Sequence, residues 1–151
     1  MLSGVWSMNA MTNPKIMVVE DDSFMLLLLT QLFEKHGYDV CPVYGHYAAL
    51  SSAIDFKPDV IVLDISLDDG HTGYDVQEEL KLNPNTKDIP TVFLTAEVDD
   101  ESRCKAFMCG GVDFLTKPFN KEDLLNRVKP LAMIGKMSRM LSNLTNFNKE
   151  V

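Results

Sequence analysis

Glu20, Asp21, Asp22, Asp64, Thr95 and Lys117 are the residues of this 151-residue chain whose types could together do chemistry. Each stands at or just beyond the end of a short apolar run, and between them they offer several carboxylates, one hydroxyl and one ammonium. A carboxylate cluster without His or Cys selects a hard cation with oxygen ligands, Mg²⁺ first and Mn²⁺ in its place. Without the cation the carboxylates repel each other, and some of them take up protons more readily. A divalent ion and Lys117 relieve that repulsion. A carboxylate can attack a phosphoryl group to give an acyl phosphate, while a metal and a lysine neutralise charge on the equatorial oxygens. A threonine hydroxyl can donate to one of those oxygens. The set therefore reads as an aspartyl-phosphate site that needs no separate general base.

The elements that must position these residues follow a βα rhythm. Ile16 to Val19 and Val60 to Leu63 are short, continuous apolar runs, as expected of strands buried on both faces, and Thr91 to Leu94 and Val112 to Thr116 read as the fourth and fifth strands. Tyr38 to Tyr44 is a further strand, placed at an edge by Pro42. Asp22 or Ser23 can cap the helix after the first strand, and Gly37 can end it. Further helices are expected over residues 46 to 55, 74 to 82 and 99 to 109, and from near Asn120 onward. Five strands alternating with five helices imply a parallel sheet covered on both faces, with right-handed crossovers. In such sheets functional groups collect beyond the carboxyl ends of the strands, which is where the six chemical residues fall.

Composition narrows the function classes. The formal charge of −8 makes the chain a poor partner for nucleic acid phosphates. Cys41, Cys104 and Cys109 show no metal-finger spacing and read as free thiols in a reducing compartment. No apolar run reaches the length of a membrane helix, and the N-terminal stretch lacks the pattern of a secretory signal, so no membrane association and a cytoplasmic location are expected. Residues 1–14 read as a flexible tail.

Four segments in order carry a resemblance: VVEDD (Val18 to Asp22), VLD (Val62 to Asp64), LTAE (Leu94 to Glu97) and DFLTKPF (Asp113 to Phe119). Together they resemble the receiver domain of two-component response regulators, over about residues 15–130. The resemblance implies a doubly wound, flavodoxin-like sheet of order 2-1-3-4-5, as in single-domain chemotaxis regulators. It implies Asp64 as the phosphoacceptor. Glu20, Asp21, Asp64 and the backbone carbonyl of Ser66 are then the metal-binding set, Asp21 directly and Glu20 through water. Lys117 is the phosphoryl-contacting lysine, joined to Pro118 by a cis bond. Thr95 is the switch hydroxyl and Phe114 the switch aromatic, while Ser66 and Glu97 occupy the positions that tune hydrolysis. A sensor histidine kinase or a histidine phosphotransfer domain would be the phosphodonor, and a downstream protein the reader. The chain is thus expected to be a regulatory phosphoacceptor, with at most self-phosphorylation and self-dephosphorylation as its own activity.

One departure stands out. The loop Ile65 to Gly73 lacks the family's usual proline and is one residue longer, and His71 within it reads as a solvated loop residue. A haloacid-type phosphatase would need a second Asp where Ser66 stands. A flavodoxin would meet repulsion between Glu20, Asp21, Asp22 and the flavin phosphate.

Phosphorylation should shift the packing of the helix at 99–109, the strand at 112–116 and the last helix, which then form a partner-binding surface. That last helix is expected to be interrupted or kinked at Pro130. Beyond it, Leu131, Ile134, Met137, Leu141 and Leu144 form an apolar stripe of about two heptads. Residues 131–151 read as a helical extension or linker that continues the helix, packs back, or supports a homodimer. The whole is a stand-alone receiver with protein-contact output or, alternatively, the receiver piece of a longer regulator or hybrid kinase.

Overall fold

A computed structural model describes residues 13–66, 70–96 and 100–150. In chain order they form β1 (Lys15–Glu20), α1 (Ser23–Lys35), β2 (Asp39–Tyr44), α2 (Ala49–Phe56), β3 (Val60–Asp64), α3 (Gly73–Leu82), β4 (Thr91–Thr95), α4 (Asp100–Met108), β5 (Asp113–Thr116) and α5 (Lys121–Glu150). The five strands are parallel and ordered β2-β1-β3-β4-β5. This is the expected doubly wound sheet. β2 lies at its edge, where Pro42, in register with Val18, interrupts no central ladder.

The alternation of side chains along each strand splits the core into two layers. Ile16, Val18, Val60, Val62, Val92, Leu94 and Leu115 face α1 and α5, where Leu29, Phe33, Leu124, Val128 and Ala132 meet them. Met17, Val19, Val43, Ile61, Leu63 and Phe93 face α2, α3 and α4. Burying each large aliphatic side chain contributes on the order of 1.5–3 kcal/mol, so the central strands bind both helix layers firmly. β3 and β4 are buried along their whole length, which explains their unbroken apolar runs.

Several boundaries differ from the sequence expectation for local reasons. α2 begins at Ala49 rather than at residue 46, because the chain first turns through His46, whose carbonyl accepts from Ala49 N. β5 begins at Asp113; Val112 is half-exposed and its amide reaches back to Thr91 O. The largest correction is at Pro130, which does not interrupt α5. Proline removes one intrahelical donor. Val128 and Ala132, both fully buried, hold the helix on the sheet on either side of that point.

Past Pro130 the helix remains fastened to the domain. Arg139 donates from Nε to Asp59 Oδ1 at 3.1 Å and from Nη2 to Asp59 Oδ2 at 2.9 Å, and Nη2 also reaches Asn13 O at 3.2 Å. Asp59 is 3% exposed at the entry to β3 and also accepts from Lys15 N at 2.8 Å. One turn before Arg139, Gly135 passes so close to Asp59 that a Cβ would lie 2.7 Å from its carbonyl oxygen. A side chain there would lift the helix away.

Candidate functional site

β1 ends in Glu20 and β3 in Asp64, neighbouring strands on either side of the point where the strand order reverses. Glu20 is 1% and Asp64 3% exposed. Carboxylate oxygens of Glu20, Asp21 and Asp64 all lie within 4.8 Å of one another. Two buried carboxylates and a third at the rim, this close together, are costly unless positive charge joins them. Lys117 supplies part of it from the far end of β5: its Nζ lies 2.7 Å from Asp64 Oδ2 and 3.3 Å from Glu20 Oε2.

The electrostatics register the crowding. Burial, then the hydrogen bond and negative charge of Asp64, push the Glu20 carboxyl up to about 8, against a smaller pull down from Lys117. Burial pulls the Lys117 ammonium down, but the hydrogen bond and charge of Asp64, then Glu20, outweigh it and hold the group above its ordinary value. Glu20 thus holds its proton near neutral pH, close beside Asp64. A hard divalent cation fits this donor set, because three oxygen ligands with excess negative charge are what it requires and its charge would displace that proton.

The other residues singled out in the sequence fall around this centre. Thr95 is fully buried at the end of β4, and its carbonyl accepts from Lys117 N at 2.6 Å. Lys117 and Pro118 are joined by a cis peptide bond. Ser66 directs its amide to Asp64 Oδ1 at 3.0 Å. Asp22 turns away from the cluster: its Oδ1 accepts from Phe24 N and Met25 N at 3.0 and 3.2 Å, so it caps α1. Phe114 lies in a different quarter, half-buried, with the Arg103 guanidinium 5.8 Å from its ring centre, in a cleft of about 370 Å³ between α4, β5 and α5. Glu97 lies outside the described residues.

The structure adds residues that the sequence left unmarked. Gly73 is pressed against the phosphoacceptor candidate: a Cβ there would sit 2.4 Å from Asp64 O and 2.9 Å from Ile65 Cα. Gly73 N bonds Ile65 O at 2.8 Å, and Ser66 pairs with Thr72 in an antiparallel bridge, so the lengthened loop is pinched shut at its base. Thr72 and Asp75 then cap α3 reciprocally. His71, expected to be solvated, is exposed, and its ring also stacks on the buried His46 at 3.7 Å between ring centres. The signals were present only as a glycine after a loop and two distant histidines, and nothing in the linear spacing paired them.

Known proteins resemble the chain in sequence and in fold. The family profile of the response regulator receiver domain matches residues 16–129. The DNA-binding dual master transcriptional regulator RpaA of Synechocystis is 34% identical over 118 residues, covering 78% of this chain and 48% of that protein. The phosphate regulon transcriptional regulatory protein PhoB of Escherichia coli is 32% identical over 126 residues, covering 83% and 54%. The chain thus spans about half the length of these curated relatives. Among solved structures, a response regulator from Chloroflexus aurantiacus superposes with a TM-score of 0.74 at 29% identity, covering 80% of this chain and 98% of that one. The receiver domain of a Pseudomonas aeruginosa sensor histidine kinase, which has a magnesium ion coordinated in its active site cleft, superposes with a TM-score of 0.72 at 26% identity, covering 80% and 98%.

Proposed function

The chain belongs to the response regulator receiver domain family, and from that premise we propose that Asp64 accepts a phosphoryl group and that the acyl phosphate changes how the domain binds a partner. The observation that carries this reading is the Lys117 ammonium seated between Asp64 and Glu20 at the carboxyl ends of three strands. An Asp64 carboxylate oxygen attacks phosphorus, the bond from phosphorus to the donor breaks, and the donor's nitrogen or oxygen leaves with the electron pair. Glu20, Asp21, Asp64 and the Ser66 carbonyl would hold Mg²⁺, or Mn²⁺, which supplies charge neutralisation for the transferred group. Lys117 contributes a second positive charge to the same oxygens, and burial of Glu20 and Asp64 strengthens both interactions by keeping water away.

Thr95 and Phe114 are assigned the switch. Thr95 moves toward the new charge, and Phe114, held half-exposed beside Arg103, turns into the space that is freed. The surface that changes is formed by α4, β5 and α5, where a downstream protein binds. Ser66 and Glu97 set the lifetime of the acyl phosphate. The phosphodonor is a sensor histidine kinase or a histidine phosphotransfer domain, and residues 15–130 are the unit that receives from it. Output from the receiver is by contact with a downstream protein. The roughly double length of RpaA and PhoB favours a second reading, in which this chain is the receiver piece of a longer regulator. Among the described residues no helix is long and apolar enough to cross a membrane.

The test is incubation with acetyl phosphate and Mg²⁺ followed by intact mass measurement. One added phosphoryl group that requires Mg²⁺ and disappears in Asp64→Asn is expected. A folded protein that gains none, and that binds no beryllofluoride, would sink the assignment.

A further inference from the structure

α5 carries apolar residues on two faces, and the domain uses only one. Leu124, Val128, Leu131, Ala132, Gly135 and Arg139 recur at helical spacing along the face that lies on the sheet and on Asp59. On the opposite face Ile134, Met137, Leu141 and Leu144 are each 60–66% exposed. Their spacing of three, four and three residues is that of the a and d positions of a two-helix seam. The Arg139–Asp59 clasp fixes the helix rotation, so this stripe cannot turn inward to pack on its own domain. A row of large apolar side chains held in water is the kind of patch that marks a contact site.

We infer that this stripe pairs with the same stripe of a second copy of the chain. Closed two-fold pairing demands a patch that is complementary to itself, and the residues around the seam meet that demand. With Ile134 at an a position, the flanking positions are Met133, Ser138, Met140 and Thr145, none of them charged, so two copies bring no like charges together. The chain carries a net charge of −8, and two copies repel over most of their surface, yet residues 131–148 contain no Asp or Glu. Lys136 and Arg139 are the charged residues of that segment, and Arg139 is already engaged by Asp59. About two heptads bury less surface than a permanent dimer requires, so the association is weak and concentration-dependent.

Sedimentation of the full chain, without phosphodonor, from about 10 µM to about 500 µM tests this directly. The mass is expected to rise from 17.0 kDa toward twice that value. The double substitution Ile134→Glu with Leu141→Glu should stay monomeric, as should Ile134→Lys with Leu141→Lys, each with an unchanged circular dichroism spectrum. Mixing the two variants should restore the doubled mass, because opposite charges then meet across the seam. A wild-type chain that is monomeric throughout overturns the inference. So does a dimer that survives the glutamate pair, or a mixture of the two variants that stays monomeric while wild type doubles.

Discussion

Lys117 Nζ is 2.7 Å from Asp64 Oδ2 although the two residues are 53 positions apart, and the same nitrogen touches Glu20 at 3.3 Å. One ammonium therefore serves two buried carboxylates. Lys117→Ala should slow phosphorylation by acetyl phosphate by about 10²-fold or more, the scale on which a single charge-stabilising donor acts. Lys117→Arg keeps the charge with a planar head and should recover only part of the rate. Equal rates in wild type and Lys117→Ala, followed by intact mass, would remove lysine from the mechanism.

The raised Glu20 carboxyl makes stability depend on pH. In the unfolded chain Glu20 titrates near 4.5 and in the metal-free fold at about 8, so the fold binds the proton more tightly. Its contribution is fully present below pH 4.5 and is lost as the pH rises through 8. Metal-free protein should therefore lose Tm across that window, while saturating Mg²⁺ should restore it by a few degrees, more at pH 8 than at pH 6. Thermal melts with Mg²⁺ and with a chelator at both pH values check this. A metal effect independent of pH would count against Glu20 as the group that gives up the proton.

Gly73→Ala places a methyl group within 2.4 Å of the Asp64 carbonyl oxygen, where neither backbone can yield freely. A loss of about 2 kcal/mol or more is expected in urea unfolding, together with weaker Mg²⁺ binding, because the strain falls on the strand end that carries the acceptor. Full stability and full Mg²⁺ affinity in this variant would show that the loop relaxes without moving Asp64.

Asp22 separates capping from coordination. Asp22→Ala removes the acceptor for Phe24 N and Met25 N and should cost about 1 kcal/mol of stability. Mg²⁺ affinity, measured by titration calorimetry, should change little. A large loss of affinity would place Asp22 among the ligands.

Arg139→Ala strands the Asp59 carboxylate at 3% exposure with only the Lys15 amide for company. About 3 kcal/mol of destabilisation is expected, the low end for breaking a buried ion pair. Asp59→Asn combined with Arg139→Ala should cost less than the two single changes added together, and a double-mutant cycle in urea reads that coupling.

Much of the site was legible because its residues stand immediately after the apolar runs that bury them. Glu20, Asp64 and Thr95 each follow an apolar run directly and are the last residues of β1, β3 and β4, so the change from apolar to polar marks the strand ends. Asp22 could be read two ways from sequence, and only the amide directions of α1 decide for the cap. The departures have a common cause in tertiary packing. Pro130 marks a local break, but buried contacts on both sides carry the helix through it. His46 and His71 are 25 positions apart, one following β2 and the other β3, and only the fold brings their rings together. Asp59 and Gly135 look unremarkable until the helix that crosses them is in place.

The clasp at Asp59 bears on where the folding unit stops. The span that matches the receiver family ends at residue 129, ten positions before Arg139. Trimming the chain at that limit would remove the only guanidinium bound to Asp59 among the described residues and free the first strand's entry from the last helix. The family match and the contacts of the last helix with the sheet therefore end at different points of the chain. A disturbance of the distal helix is felt at the start of β1 and β3, the two strands whose far ends carry Glu20 and Asp64. Whatever pulls on that helix pulls on the sheet from the side opposite its chemistry.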